Sequence, residues 1–484
     1  MQTSIGYDLN QVLEIRKAFE ANTASGGASP FVNGDSGSVL SRQFLDGTWV
    51  AMVSGDDSFS FLKQVPKRDI KQVLAEYNVY RSHGGGWYDT SYTGQSGEPN
   101  FKDAILKRAF DEVAYLRAGF SFNKVSEQID GTNDPEVVQG NAALRRMTES
   151  NCRGFFFGDK THNPFEQIGF WAKLKLNAPD CLHDARGQLV GSEILKDYSA
   201  RIATQEFGKV NDLWMHHQTK VLYDQNYEIL GKTTVWQNNS QNPGQVSMSN
   251  VIDGINDGNA LNSKINFKTD LWLDRHQWDV PKVWNETSGT FVEGPTSPEA
   301  PNTPSIAVVP IAGPVPGSKF GVTDAGNYDY RVSAGNFHFH SQACAKSTVT
   351  IPANGGATIT ITPAGTGPLT TEFTIFRSVK PGSTTVRFLD RILRAATPTT
   401  VYTDLNELLP GTTIMILGDF NSRSNTAETR THVLSELLPP FKTVYPYGAG
   451  GKFVSRFGVT EAYNVLQIMA ERKFRVIYNV PVLN

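Results

Sequence analysis

The 484-residue chain carries 45 Lys and Arg against 48 Asp and Glu, a net charge of −3, with 39% hydrophobic and 19% charged residues. At about 100 to 200 residues per domain this makes two to four folding units and excludes a small cross-linked scaffold. The near-neutral balance also excludes the strong basic field of a protein that grips nucleic-acid phosphates along its length. Cys152, Cys181 and Cys344 lie far apart and show no CxxC spacing, so neither a zinc cluster nor a disulfide framework is written here, and a reducing compartment is the simplest setting. The first residues, MQTSIGYDLN, lack a charged start followed by an apolar stretch, and no run approaches the roughly 18 apolar residues that span a bilayer. A soluble chain without a secretion signal is expected.

Taken in chain order, residues 1 to 60 open with a short amphipathic segment in which Leu9, Val12, Leu13, Ile15 and Phe19 share a helical face. Gly/Ser/Asn-rich sequence from Ser25 to Ser38 follows, too poor in bulky residues to form its own core, so an arm is expected. Residues 61 to 122 read as extended runs around a loop. The first run spans Ile70 to Tyr80, the loop His83 to Pro99, and the stretch from Phe101 to Phe120 fits either a strand or a helix. A clear helix then starts at Asp134 as N-cap with Pro135 in its first turn, and runs about five turns until Gly154 and the apolar Phe155 to Asp159. The pattern predicts a second helix over Ser192 to Phe207, with Ile194, Leu195, Tyr198, Ile202 and Phe207 buried and Gly208 as C-cap. A strand at Asn211 to Met215 and a helical turn at Thr219 to Tyr223 complete an α/β or α+β body.

Composition shifts near residue 295. Seven prolines between Pro295 and Pro316 predict a stiff extended linker. From Gly317 to about Asp404, short Val/Ile/Thr/Tyr/Phe runs alternate with turn signals, the pattern of an immunoglobulin- or fibronectin-type sandwich. Only seven of the 78 residues from Glu299 to Phe376 are charged, which marks an inserted module of different character. The α/β style then returns: Thr412 to Leu417 is a buried strand, Leu437 to Pro440 a turn, and Phe453 to Val480 strand-like runs.

Several segments resemble catalytic motifs, and none completes one. Leu417 to Asn421 (LGDFN) is similar to the GDFN metal motif of the endonuclease/exonuclease/phosphatase family, in which Asp419 and Asn421 would position a phosphate beside a divalent ion; the Asp-His pair of that chemistry is missing. GDSG at Gly34 to Gly37 has no His before it to serve as base. HGGG at His83 to Gly86 has no GxSxG elbow after it, and GAGGK at Gly448 to Lys452 lacks the spacing of a phosphate loop. His216 and His217 are adjacent and point apart; His338 and His340 share a face of a predicted strand but have no third ligand. No catalytic, cofactor-binding or metal residue is assigned, and no cofactor is expected.

The order of elements resembles the major capsid proteins of tailed phages, the Hong Kong 97-type α+β fold. The matching positions are the arm before residue 60, the E-loop hairpin from Val65 to about Phe122, a spine helix from Asp134 to Phe157, and the closing strands from Ser435 to Val480. On that resemblance, residues 123–298 hold the first part of the peripheral and axial domains, 299–405 an inserted immunoglobulin-like sandwich, and 406–484 the return to the core. It implies a non-enzymatic shell subunit that self-assembles into hexamers and pentamers, encloses phage double-stranded DNA without reading its sequence, and resides in the virion after assembly in the host bacterial cytoplasm. It further implies a separate scaffolding protein, a portal and decoration proteins as partners, and no membrane. The competing readings of the residues are a surface or tail adhesin whose sandwich binds glycans and, after it, a metal-dependent phosphoesterase at Asp419 and Asn421.

Overall fold

The computed structural model describes residues 58–82, 92–98, 101–123, 135–231, 254–255, 264–275, 279–285, 287–420, 430–447 and 455–482. The expected arm, with Leu9 to Phe19 and Ser25 to Ser38, lies outside them. By internal contacts the chain divides into a larger unit (Ser54–Gly119, Ala143–Thr443 and Val459–Asn484) and a smaller one (Met1–Val53, Phe120–Ala142 and Val444–Gly458).

The elements begin with helix α1 (Ser60–Gln64) and strands β1 (Lys67–Asp69), β2 (Leu74–Ser82), β3 (Ile105–Glu112) and β4 (Ala114–Asn123). Helices α2 (Pro135–Phe157) and α3 (Phe170–Asn177), strand β5 (Leu182–Asp184), helix α4 (Ser192–Gln205), strand β6 (Asp212–Met215), helix α5 (His217–Gly231) and strands β7 (Gly254–Ile255) and β8 (Ile265–Thr269) follow. A ribbon of β9 (Lys282–Asn285) and β10 (Thr290–Glu293) precedes β11 (Ser305–Ile311), β12 (Gly326–Gly335), β13 (Ser347–Ile351), β14 (Gly356–Thr362), β15 (Glu372–Ser378), β16 (Val386–Leu393) and β17 (Thr400–Asp404). The last strands are β18 (Thr412–Gly418), β19 (His432–Val444), β20 (Ser455–Ile468) and β21 (Phe474–Pro481). The fold is α+β, and its long hairpin, long helix and closing strands come in the order that the Hong Kong 97-type resemblance implies.

The body is organised by a six-stranded sheet, β5-β21-β18-β6-β8-β7. Every residue of β18 is buried, because the strand has a core on each face. Met415 and Leu417 pack with Ile477 of β21, Leu195 and Ile202 of α4 and Tyr223 of α5. Ile414 and Ile416 point the other way, toward Val476, Phe155 to Phe157 at the end of α2, and Phe170 and Leu174 of α3. In this second core Phe61 of α1 is the hub, its ring centroid 5.0 to 6.3 Å from those of Phe155, Phe156, Phe170, Trp214, Phe420 and His432. Its backbone N–H donates to Asp270 Oδ2 (2.9 Å), and that of Trp272 donates to Oδ1 (2.8 Å). A second sheet, β1-β19-β20-β4, is mixed, with β1 parallel to β19.

Several sequence expectations are corrected. Helix α2 has 23 residues, more than about six turns: it passes straight through Gly154, where the local pattern ends, and stops at Phe157, the end that the resemblance implies. The absent side chain there admits Gln167, whose Nε2 donates to Asn151 Oδ1 (3.0 Å) while its Oε1 accepts from Leu466 N–H (3.0 Å). Helix α4 stops at Gln205. Phe207 takes the left-handed conformation (φ 51°) and is 88% exposed, and Gly208 follows it, donating its N–H back to the Ile202 carbonyl, which also accepts from Glu206. Ile194 is likewise exposed, and Ser199 joins Leu195 and Ile202 in the buried stripe. The helical turn at Thr219 to Tyr223 is part of the 15-residue α5. Leu437 to Pro440 is no turn but the middle of β19: pairing with β1 ends at Glu436, and the strand is exposed from Pro439 to Lys442, where the missing amide donors are tolerated.

The expected linker is also partly strand. Ser305–Ile311 forms β11, and Pro310 is accommodated because β11 is an edge of the three-stranded sheet β11-β14-β17. That sheet faces the four-stranded β13-β12-β15-β16, and the two share one core of Tyr328, Tyr330, Val332, Ile359, Ile361, Phe373 and Ile375. Inside it, fully buried Arg377 donates to Asp404 Oδ2 (2.6 Å) and Asn406 Oδ1 (2.7 Å), and Tyr330 Oη donates to the same Asp404 oxygen (2.7 Å). Burial alone lowers the Arg377 pKa, but Asp404 and Tyr330 outweigh it and hold the guanidinium above its ordinary value.

Two stability outcomes follow from these cores. Phe61→Ala removes the hub ring and is expected to cost about 3 to 5 kcal/mol, read as a lowered denaturation midpoint, whereas Phe441→Ala at an exposed position leaves it unmoved. Arg377→Met strands the buried Asp404 and is expected to cost about 3 to 5 kcal/mol, while Arg377→Met with Asp404→Leu recovers part of it. Calorimetry of the four proteins checks both.

Candidate assembly surface

The E-loop expected from Val65 to about Phe122 contains an antiparallel hairpin, β2 with β3, paired from Leu74↔Glu112 to Ser82↔Ile105 with an irregularity between Tyr80 and Ser82. The ambiguous stretch after Phe101 is therefore two strands, β3 and β4, separated by buried Val113. Alternation along the pair creates two unlike faces. One face carries Leu74, Glu76 and Asn78 opposite Glu112, Phe110 and Arg108, with Arg108 ion-paired to Glu76. Its apolar members stay in solvent: Leu106 is 61% and Phe110 65% exposed.

The opposite face is pinned to the body. Lys173 of α3 reaches Asp111 at 2.7 and 2.8 Å and Tyr77 Oη at 3.2 Å, with only 5% of its side chain exposed. Burial, and then the Asp111 charge, push the Tyr77 hydroxyl far above its ordinary pKa, so it stays neutral beside the pair. Closer to the root, Ala75, Val113 and Val465 form a small core, and Gln467 Nε2 donates to the Ala75 carbonyl (2.8 Å) while its Oε1 accepts from Arg68 (2.7 Å) and Ser435 (2.5 Å). Two buried charges held this way make a base that resists fraying.

The motif candidates do not converge. Asp419 is buried and spent on the chain itself: Oδ2 accepts from Lys209 N–H (3.2 Å) and its carbonyl from Thr431 Oγ1 (2.6 Å). Gly418 precedes it because a Cβ there would lie 2.2 Å from the Phe474 ring, and Phe420 belongs to the aromatic core. Asn421, Gly34 to Gly37, His83 to Gly86 and Gly448 to Lys452 lie outside the described residues. His338 and His340 are not on a strand; they follow β12 in a turn, and only His340 forms a bridge, with Gly335. His216 is buried at the end of β6 and His217 opens α5. The three cysteines are free and buried, and among the described residues no group of three or more His, Cys, Asp or Glu is placed to hold a metal. Among them also no helix is long and apolar enough to cross a membrane.

What sequence reasoning missed is how residues 305–404 are held. At one end Arg186 donates to the carbonyls of Asn406 and Lys319 (2.8 Å each), Lys319 pairs with Asp184 (2.7 Å), and Asn479 joins Asp184 Oδ1 (2.7 Å) to the Glu407 carbonyl. Asp184 is thereby held below the usual carboxylate range: burial works upward, but the hydrogen bonds from Lys319, Asn479 and the Arg186 N–H prevail. At the other end Arg391 of β16 forms a bidentate pair with Glu166 (3.0 Å twice), and Arg331 a second with Glu293 (2.9 and 2.7 Å).

No family model matches the chain. A putative major capsid protein of Enterococcus phage phiEF24C is 22% identical over 277 residues, 56% of this chain and 58% of the relative, so the match spans somewhat over half of that protein's length. Solved structures that align include the SrpI encapsulin complex of Synechococcus elongatus PCC 7942 (TM-score 0.41, 10% identity, 92% of this chain and 96% of that one) and the capsid of a native GTA particle (TM-score 0.40, 8% identity, 94% and 100%). Another is from Mycobacterium phage Ogopogo (TM-score 0.39, 9% identity, 91% and 98%).

Lys173→Met leaves Asp111 without its cation and is expected to speed amide exchange at Leu74–Tyr77 and Phe110–Glu112 at least tenfold, while Lys107→Met leaves it unchanged. Hydrogen exchange of the full chain with mass spectrometry checks this. The resemblance of this chain to phage major capsid proteins rests both on the order of its elements and on a capsid relative matched over more than half of its sequence.

Proposed function

We propose that this chain is the major subunit of a phage head, assembling as hexamers and pentamers into a closed shell around double-stranded DNA, without enzymatic activity. The observation that carries the reading is the hairpin: its root is fixed by the buried Lys173–Asp111 pair, yet Leu74, Leu106 and Phe110 on its outer face remain in water. Exposed apolar side chains on an anchored ribbon gain their burial from another subunit, which is how a shell protein couples folding to assembly. The net charge of −3 fits a wall that encloses DNA and does not grip it.

On the same reading residues 299–405 are an inserted immunoglobulin- or fibronectin-like module, supported by its three- and four-stranded sheets around one core. A separate scaffolding protein, a portal and decoration proteins would be its partners, with assembly in the host cytoplasm.

Electron microscopy of the protein co-expressed with the phage's other head proteins is expected to show closed particles, tubes or rings. Phe110→Asp with Leu106→Asp should abolish them and leave the subunit's circular dichroism and melting unchanged. A wild-type protein that stays monomeric with all head proteins present overturns the reading.

A further inference from the structure

The pair Arg391–Glu166 has a third participant. Glu372 begins β15, is 2% exposed, and its Oε2 is buried with no hydrogen-bond partner. The pocket is shaped for it: Gly335 lies opposite in the β12–β15 register, and a Cβ at that position would sit 2.9 Å from both Glu372 Cγ and Oε1. We propose that Glu372 is a proton-operated latch on the joint between the sandwich and the segment after α2, loosening the Arg391–Glu166 clamp when it ionises and tightening it when it is neutral.

The groups facing Glu372 come from three directions. His340, from the turn after β12, lies 3.9 Å away through Nε2, and the Phe337 backbone N–H works to lower the pKa of the carboxyl. His340 supplies no compensating charge, because burial and then Arg391 push its pKa down to about 4. Arg391 of β16 stands opposite Thr374, two residues along β15 from Glu372, and its charge favours ionisation of Glu372, whereas Glu166, across the joint, is a like charge that opposes it. Around the clamp, Glu166 also accepts from Asp159 N–H (3.3 Å) and Asn163 Nδ2 (3.4 Å), and His162 approaches Asp390 (3.9 Å) and Asp159 (3.5 Å). One arginine is therefore bonded to the carboxylate across the joint while it feels the charge of a second carboxyl on its own side.

Burial is the largest cause acting on Glu372 and raises its pKa from 4.5 to about 7, with Arg391 pulling the other way and Glu166 adding to the rise. The sign follows directly. A solvated Glu372 releases its proton near 4.5 and the seated one near 7, so the seated joint binds the extra proton between these values and loses stability as pH rises through that window. Below it the clamp is at full strength; above about 7 the loss has levelled off.

The test is hydrogen exchange of the full-length protein at about pH 5 and about pH 8, corrected for intrinsic rates, followed at residues 159–167 and in β16. Wild type is expected to exchange about tenfold or more faster at the higher pH in these two segments and not in β18. Glu372→Gln, which keeps the shape and cannot ionise, should hold the slow rate at both values. Glu166→Gln should open the joint at both, since the clamp itself is lost. A wild-type rate independent of pH, or a Glu372→Gln protein with the wild-type pH response, overturns the proposal. Because wild type alone can give the first of these results, the test stands even if the variant fails to fold. Neither result depends on whether the chain builds a shell.

Discussion

The aromatic core of the larger unit is arranged around the insertion of Phe61 between the central sheet and the end of α2. A five-residue helix has no stability of its own, so α1 persists because its one fully buried ring meets six others and because Asp270 accepts its backbone N–H. Asp270 bears a cost in that role: burial raises its pKa to about 6, with the two donated backbone hydrogen bonds working the other way. Fixing α1 fixes β1 three residues later against Leu434 to Glu436, and β1 in turn sets where β2 leaves the body. The anchored hairpin is thus a consequence of an aromatic core that lies wholly within the body.

Two kinds of buried charge serve different ends here. Arg377 with Asp404 and Lys173 with Asp111 are closed pairs: each cation has its carboxylate, and a tyrosine hydroxyl completes each set, Tyr330 donating to Asp404 and Tyr77 accepting from Lys173. Such pairs contribute uniqueness of structure more than net stability. Arg391 is open by comparison, since Glu166 and Glu372 both draw on it and Glu372 retains an unpartnered oxygen. A half-satisfied network is where a small change of charge has structural effect.

How much was legible in the sequence follows from the range of the interactions. The seven sandwich strands, β18 and the long helix are written locally, in period-two alternation, apolar runs between turn residues, and a Pro135 start. The errors occur where tertiary context overrides a local signal. Pro439 and Pro440 read as a turn until the register shows that β1 covers only Leu434–Glu436, and Pro310 reads as linker until β14 supplies its partner. Phe207 reads as a buried helical residue, yet the chain reversal needs a left-handed position one residue before Gly208. The joint was not legible at all, because Arg391 and Glu166 are 225 residues apart and no spacing rule connects them.

The low charge of residues 299–376 acquires a physical meaning from that joint. Besides Arg377–Asp404 in its core and Lys346, just before β13, with Asp329 of β12, its Lys and Arg ion pairs lie where it meets the rest of the larger unit, as at Lys319 with Asp184, Arg331 with Glu293 and Arg391 with Glu166. Its outer sheet presents Ala307, Val309, Thr358, Thr360, Val401 and Thr403 without a charge among them. A module held by several ion pairs at its two ends is positioned by the body, and its uncharged sheet keeps the orientation that those pairs impose. Polar attachment of this kind also differs from a hydrophobic domain interface in one respect: its strength follows the protonation of the groups that make it, whereas the titratable members of the core around Phe61 are few, and burial holds Cys152, Cys181 and Tyr478 neutral by raising their pKa values. Within the larger unit, the body and residues 305–404 are therefore joined by ionisable contacts, while the body's own integrity rests mainly on apolar ones.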